Sequence, residues 1–504
     1  MDLLNQVLLG FSIVLSPINL LYCFAGVVIG TLIGVLPGIG PSATLSLLLP
    51  FTLKASPVAS LIMLAGIYYG AQYGGSTTSI LVNIPGEAAS VVTCLDGYQM
   101  ARKGRAGAAL GMSAFGSFIG GTLSVVGLML FTPVLASLAF KFGPPELFCS
   151  MCCGLTMVAY LTSGSLLRAL MMASLGVILG CFGQDPETGT PRFAFGVPDL
   201  MDGIGLVPFV MGLFGISEVL SNIEKSISEK EIFETKVKGL LPNLQDWKNS
   251  IKPIFRGSFL GFFAGIIPGG GPTISSFISY AVEKKFSKHP EKFGTGAIEG
   301  VAGPETANNA ATGGSFIPLF ALGIPPNVPM ALLLGSLIMH GVIPGPLFMQ
   351  KNPDIYWGVI TSMYVGNVML LILNLPLIAI WVQLLKVPYK ILFPLILLLC
   401  CIGAYTVNNS TFDLYVMLLF GVAGYLMRKY DFQGAPLILG YILGPMLEIS
   451  LRQSLLISHG KFSIFVTSPI ACGAIIFALF VIISALFPVF KKRREAITKE
   501  DDEI

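Results

Sequence analysis

The chain has 504 residues, of which 54% are hydrophobic and only 11% charged, with a mean hydropathy of +0.80 and a formal net charge of +3. That balance excludes a soluble globular domain and indicates a polytopic membrane protein. The small excess of Lys and Arg falls in loops, where it bears on membrane orientation and not on nucleic acid.

The opening segment, MDLLNQVLLGFSIVLSP, lacks the basic n-region and cleavage site of a signal peptide and reads as a first short or interfacial helix. The next segment, GTLIGVLPGIGPSATLSLLLP from Gly30 to Pro50, is an apolar run broken by prolines and glycines. Pro37 disfavours helix at Leu36, Gly38 and Gly40 supply unusual backbone angles, and Pro41 suits the first turn of a new helix. A helix start at membrane depth presents free N–H groups and the positive end of the dipole. With the hydroxyls of Ser42 and Thr44 it can hold a carboxylate without a buried lysine, while freed carbonyls before the break would suit a sodium ion. YYGAQYGGSTTSILVNIPGE follows from Tyr68 to Glu87 and contributes Ser76 and Asn83 as polar lining. Tyr68, Tyr69 and Tyr73 fit either stacking on a substrate or anchoring at the interface. Glu87, Asp96, Asp185 and Glu187 stand beside prolines or basic loops and read as interfacial.

Arg102, Lys103 and Arg105 form the first of several basic clusters that mark the cytoplasmic side; Arg428 with Lys429 and the terminal Lys491 to Arg494 are others. The nine cysteines, including Cys149, Cys152 and Cys153, lie almost wholly in apolar runs and read as packing residues. Three histidines make no zinc signature, so no metal site is expected. Residues 221–252 form the only long polar stretch. They divide the chain into an N-terminal membrane repeat (1–220), a cytoplasmic linker (221–252), a C-terminal membrane repeat (253–490) and a cytoplasmic tail (491–504).

After the linker the break returns as GFFAGIIPGGGPTISSFISYAVEKK, Gly261 to Lys285, with Gly269, Gly270 and Gly271 at its centre and Thr273, Ser275 and Ser276 on the restarted helix. Gly30, Gly34, Pro37, Gly38, Gly40 and Pro41 match Gly261, Gly265, Pro268, Gly269, Gly271 and Pro272 at one constant offset. Lys252 and Arg256 precede this copy and Glu283, Lys284 and Lys285 close it, so both of its ends read as cytoplasmic. Apolar arms from Gly257 to Ile267 and from Thr273 to Val282 reach about 15 Å each, half a hydrocarbon core. That predicts a re-entrant hairpin, with one kinked transmembrane helix as the alternative. The first copy lacks basic residues before it, and Met349 to Asp354, the counterpart of the Arg102 cluster, is poor in positive charge; the halves are therefore expected to be inverted.

GPETANNAATGGSFIPLFALGIPP, Gly303 to Pro326, is the counterpart of the Tyr68 segment, pairing Gly74, Gly75 and Ser76 with Gly313, Gly314 and Ser315, and Ile84-Pro85 with Ile324-Pro325 after a one-residue gap. Asn308 and Asn309 suit a site for carboxylate and cation together, or the joining of helices. Glu305 is either an intramembrane acid that pairs, binds a cation or carries a proton, or an N-cap after Pro304.

The prediction is an all-α polytopic membrane protein of about ten to twelve transmembrane segments, in two inverted repeats each carrying a Pro-Gly-broken re-entrant hairpin. Substrate-binding candidates are Gly38, Gly40, Pro41, Ser42, Thr44, Ser76, Asn83, Gly269, Gly270, Gly271, Thr273, Ser275, Ser276, Asn308 and Asn309. Coupling-ion candidates are Asn83, Glu305, Asn308 and Asn309. No Walker A pattern occurs, so an ion gradient remains as the energy source and no catalytic residues are expected. A channel with re-entrant filter loops is the nearer alternative, and a membrane-embedded hydrolase the remoter one.

LPGIGPSATLSLLLP, YGGSTTSILVNIPGE, IIPGGGPTISSFISYAVEKK and GPETANNAATGGSFIPLFALGIPP resemble the signature segments of the TctA family, the large permease subunit of tripartite tricarboxylate transporters, from about Leu20 to about Leu451. The resemblance implies a multi-pass protein of the bacterial inner membrane with a cytoplasmic C-terminus. It also implies import of a di- or tricarboxylate on a Na+ or H+ gradient, with no cofactor beyond that cation. A small four-helix membrane subunit (TctB-like) and a periplasmic solute-binding protein (TctC-like) are the implied partners. Pro326 stands where the family pattern has glycine, a departure that bears on substrate choice.

Overall fold

The computed structural model of the chain describes residues 3–36, 40–161, 165–185, 187–224, 239–384 and 389–486. Pro37 and Gly38, much of the linker and the terminal tail lie outside the described residues. In the first half the helices are α1 (Leu3–Val14), α2 (Pro17–Val35), α3 (Pro41–Thr52), α4 (Pro57–Val82), α5 (Val91–Arg102), α6 (Ala106–Ala139), α7 (Pro144–Leu161), α8 (Leu166–Gly180), α9 (Leu206–Val210) and α10 (Ser217–Glu224). The second half opens with α11 (Leu244–Ile266), α12 (Gly271–Phe286), α13 (Glu299–Gly314), α14 (Phe316–Leu322), α15 (Val328–Met339), α16 (Phe348–Lys351) and α17 (Pro353–Asn374). It closes with α18 (Ile378–Leu384), α19 (Tyr389–Asn408), α20 (Thr411–Lys429), α21 (Gly434–Ile457), α22 (Ile464–Thr467) and α23 (Pro469–Leu486). Among the described residues the only sheet is the two-stranded ribbon of β1 (Gly183–Gln184) and β2 (Pro191–Arg192).

Seven helical segments among the described residues are long and apolar enough to cross a bilayer: α2, α6 to Ser137, α7, Leu206–Glu224, α17, α20 and α21. Shorter apolar helices, among them α1, α8 and α15, supplement them. The chain is thus an all-α multi-pass membrane protein. Outward faces remain apolar, with Leu418, Val422, Ile476 and Phe480 exposed as a lipid-facing surface requires.

Two pairs of helices carry the centre, and each is held by close backbone approach rather than by large side chains. A Cβ at Gly26, Gly30 or Gly34 of α2 would fall 2.4, 2.6 and 2.3 Å from the carbonyl oxygens of Met63, Ile67 and Ala71 on α4. Gly257, Gly261 and Gly265 of α11 meet the carbonyls of Gly303, Ala307 and Ala311 on α13 in the same way, at 2.5, 2.1 and 2.2 Å. Small residues every fourth position let the two backbones touch, which is how helices associate where lipid supplies no hydrophobic drive.

These contacts also fix the alignment of the two segments and correct the sequence register by one residue. A Cβ on Gly74 would meet the carbonyl of Thr31 at 2.3 Å, and one on Gly314, not Gly313, meets the equivalent carbonyl of Phe262 at 2.3 Å. With that shift no gap is needed. Asn83 and Gly323, both left-handed, close α4 and α14; Glu87 and Asn327, both extended, cap the helical turns that follow. Gly-Gly-Ser identity had suggested the wrong alignment because helix contacts, not residue names, set the register.

The central helices of the two halves also cross over. α6 packs on α13 and α17 packs on α4; α3 packs on α15, and α12 packs on the turn at Ala88–Ser90. Neither set of central helices is therefore covered by its own half alone.

Candidate functional site

Both breaks form as the prolines dictate, and both restart a helix at once. Leu36 is extended (ψ 109°), Gly40 is the N-cap of α3, and Pro41 is its first residue. In the second copy Ile267 is extended, while Gly269 (φ +79°) and Gly271 (φ +43°) take the left-handed backbone that an L side chain resists. The N–H of Gly269 donates to Pro326 O at 2.8 Å and that of Gly270 to Ile267 O at 2.9 Å, so these two donors are spent on the turn. The donors left for a ligand belong to the first turns themselves, up to Ala43 in α3 and from Gly271 in α12.

Among the candidate hydroxyls the structure separates two kinds. Thr44, Ser275 and Ser276 are buried, and their hydroxyls donate to the carbonyls of Gly40, Gly271 and Pro272 at 3.2, 2.6 and 2.9 Å. Ser42 and Thr273, two residues before Thr44 and Ser275, are half-buried and have no hydrogen-bond partner among the described residues. Among the described residues a Cβ on Gly40 would find nothing within 4 Å, so a side chain there has open space. At the second break a Cβ on Gly271 would stand 3.8 Å from Asn327 Nδ2, and that amide also donates to Tyr68 Oη at 3.1 Å and Ser315 Oγ at 3.2 Å.

α11 is longer than its apolar arm predicts. Asn243 and Asp246 form a capping box, with the Asp246 N–H donating to Asn243 Oδ1 at 2.8 Å, and this starts the helix inside the polar stretch at Leu244. Midway along α11, Arg256 binds Glu283 through two nitrogens, Nε to Oε1 at 2.9 Å and Nη2 to Oε2, joining α11 to the last turn of α12. Arg105 reaches Asp246 at 2.5 Å, and Lys103 donates to Thr295 O, so the first-half basic cluster lies beside the first turn of α11.

Ser76, Glu305, Asn308 and Asn309 come together in one fully buried polar cluster between α4, α5, α6 and α13. Glu305 lies inside α13 and is no N-cap: its carboxylate accepts from Ser76 Oγ at 2.5 Å, from the Thr93 hydroxyl and from Asn308 Nδ2 at 3.5 Å. Asn309 Nδ2 donates to Ser117 Oγ at 2.8 Å, Asn308 Oδ1 at 2.5 Å and Glu305 O at 3.1 Å. No Lys, Arg or His lies within ion-pair distance of Glu305 among the described residues. A buried carboxylate whose only partners are hydroxyl and amide groups calls for a proton or a cation beside it. Asn83 is not part of this cluster; it is exposed and serves as the left-handed C-cap of α4.

Three of the acids read as interfacial, Glu87, Asp96 and Asp185, are buried within the protein. Glu87 caps the turn at Ala88–Ser90 by accepting from Ala89 N at 2.8 Å, and the Gln72 amide, with its nitrogen turned toward it, lies 3.1 and 3.2 Å from the carboxylate oxygens. Asp96 Oδ1 accepts from the N–H groups of Gly294, Gly296 and Ala297 at 2.9, 2.7 and 2.8 Å, and Oδ2 from Tyr280 Oη at 2.9 Å. It is a tether between the halves. Asp185 pairs with Arg452 at 2.6 Å, whose hydrogen bond holds that carboxyl well below the usual carboxylate range. The three tyrosines of α4 are also buried and bind the interior: Tyr69 Oη donates to Ser362 O at 3.3 Å, and Tyr73 Oη to Asn367 Oδ1. No group of three or more metal-binding side chains occurs among the described residues.

Residues 20–439 match the sequence model of the tripartite tricarboxylate transporter TctA family. Over 502 residues, the full length of both chains, the sequence is 49% identical to an uncharacterized 52.8 kDa protein of the TAR-I ttuC' 3' region of Agrobacterium vitis. Over 242 residues, 48% of this chain and the whole of the relative, it is 48% identical to an uncharacterized protein of the TAR-II ttuC' 3' region of the same organism. No solved structure matches the chain.

Proposed function

From the premise that the chain belongs to the tripartite tricarboxylate transporter TctA family, we propose that it is the permease of a secondary transporter that imports a di- or tricarboxylate across the bacterial inner membrane. A Na+ or H+ gradient drives the import. A periplasmic solute-binding protein delivers the substrate, and a small four-helix membrane subunit completes the complex. The observation that carries this reading is the pair of helix starts, α3 and α12. Each opens on Gly-Pro, and each leaves one hydroxyl, Ser42 or Thr273, without a partner. Substrate carboxylates are held there by first-turn N–H groups and the helix dipoles, which attract an anion without the desolvation cost of a buried lysine. The buried cluster around Glu305 supplies the response to the coupling cation.

The second broken pair carries Arg256, Lys284 and Lys285, and Arg105 and Lys103 of the first half bind Asp246 and Thr295; by this charge that side faces the cytoplasm. The first hairpin enters from the opposite face, and the C-terminus is cytoplasmic. The two hairpins and the helices beneath them form the moving core, carried against the outer helices.

Uptake of radiolabelled di- and tricarboxylates into proteoliposomes holding the chain with its two partner subunits tests the proposal. Uphill accumulation that collapses with an ionophore is expected; accumulation that stops at equilibrium is the behaviour of a channel. Because Gly40 faces open space, Gly40→Leu should insert normally and lower the uptake rate at least tenfold. Wild-type uptake by that variant overturns the site.

A further inference from the structure

Beside the Glu305 cluster lies a cavity of about 20 Å³, where α4, α6, α13 and α17 meet. Tyr73, Ser124, Asn309, Thr312 and Asn367 line it. Its volume suits one occupant of the size of a water molecule or a small ion.

Tyr69, Val125, Met363 and two glycines share the lining, and the hydrogens of the hydroxyl groups at Tyr73, Ser124 and Thr312 are already committed. Thr312 Oγ1 donates to Asn308 O at 3.0 Å, Ser124 Oγ to Gly121 O at 2.7 Å, and Tyr73 Oη to Asn367 Oδ1. Asn367 turns its nitrogen away, to Phe118 O at 2.8 Å and Thr122 Oγ1 at 2.9 Å. Asn309 does the same: its nitrogen faces Ser117, Asn308 and the Glu305 carbonyl, while its Oδ1 is buried and has no partner among the described residues. Oxygen and nitrogen of one amide diverge, so Oδ1 points away from those three partners and is left free for a ligand in the cavity that Asn309 lines. The walls are brought close by glycine. A Cβ at Gly313 would fall 2.1 Å from Ser124 Oγ, and one at Gly121 3.2 Å from Asn367 Oδ1. The few polar groups of this mostly apolar lining therefore keep lone pairs and have almost no hydrogens to give.

We infer that this cavity is a binding site for one Na+ ion, coordinated by the oxygens of Asn309, Thr312, Ser124 and the Tyr73–Asn367 pair. Na+ resembles Ca2+ in size and takes oxygen ligands at about 2.4 Å. No carboxylate lines the cavity, and a neutral oxygen set suits a monovalent ion better than Ca2+ or Mg2+. The negative charge that holds the ion is Glu305, one helical turn away on α13 and joined to the cavity through Asn308 and Asn309. This assignment rests on the cation-coupled transport proposed above and names its ion as Na+. Since the cavity draws on helices of both halves, an ion there ties them together as long as it stays.

Thermal unfolding of the purified complex in NaCl, KCl and choline chloride at one ionic strength tests the inference, because a ligand bound only by the folded state raises the midpoint. The midpoint should rise with Na+ alone, and 22Na+ binding should saturate. Thr312→Val and Ser124→Ala each remove an oxygen whose own hydrogen bond stays within its helix, so folding is preserved. Each should raise the half-saturating Na+ concentration at least tenfold, and Thr312→Ser should restore it. Equal midpoints in the three salts, or unchanged half-saturation in both variants, overturns the site. Carboxylate uptake on a proton gradient without Na+ would then leave the transport proposal standing. Intact Na+ binding without any carboxylate uptake would instead sink the transport proposal and keep the ion site.

Discussion

The two broken helix pairs share a turn and differ in charge. α2–α3 and α11–α12 are broken by the same Gly-Pro pattern, restart on equivalent hydroxyl residues, and lie against α4 and α13 through the same stripes of small residues. Only the second carries charge between its arms, where Arg256 grips a Glu283 that is 1% exposed; the first has Ala25 and Thr52 at the equivalent positions. The common part is a set of backbone donors at a helix start, which the proposed function assigns to the substrate. The unshared part is an ion pair with one buried member, and under the topology proposed above it marks the end of the second pair that is nearer the cytoplasm.

The largest test of the shared part is the helix contact. Gly34→Leu and Gly265→Leu would each drive a side chain into a carbonyl that already lies 2.2–2.3 Å from a Cβ. Both should abolish folded protein, as read by a monodisperse elution peak in detergent. Tolerance of one but not the other would show that the two pairs are not packed alike. Next comes the unshared ion pair. Arg256→Leu leaves Glu283 buried without its partner, at a cost of about 2–3 kcal/mol in unfolding free energy. That is less than the roughly 3–5 of a fully enclosed pair, because Arg256 is 36% exposed. Ala25→Leu in α2 breaks no ion pair, so a cost equal to that of Arg256→Leu would contradict the asymmetry. The smallest effect separates the turns. Gly271→Ala forces an L residue to φ +43° and should cost about 1 kcal/mol, whereas Gly40→Ala, at φ −68° and facing open space, should be close to neutral in the same measurement.

Much of this was legible in the chain because proline and glycine act locally. Pro37, Pro41, Pro268 and Pro272 fix backbone angles wherever they stand, so the breaks and restarts follow from sequence. Glu305 was legible as a costly acid, though the choice between cap and buried partner needed its neighbours. What sequence hid was distant pairing. Glu87 and Asp96 sit near prolines or basic residues and look interfacial, yet Asp96 is satisfied by amides some two hundred positions later. The roles of Gln72 and Asn327 had no signal beyond an amide beside a cap. The one-residue slip between Gly313 and Gly314 has the same origin: helix register is decided by which carbonyl a glycine must approach, and that carbonyl lies on another helix.

The bond between Ser76 and Glu305 sets a clock on biogenesis. Its acceptor is made 229 residues after its donor, an interval of about 10–50 s at ordinary rates of translation of about 5–20 residues per second. Throughout that time the hydroxyls of Ser76 and Thr93 wait in the nascent first half without the carboxylate they will serve. Water, or the insertion machinery, must stand in for it. The first half alone is an unfinished product, exposed to quality control until α13 arrives.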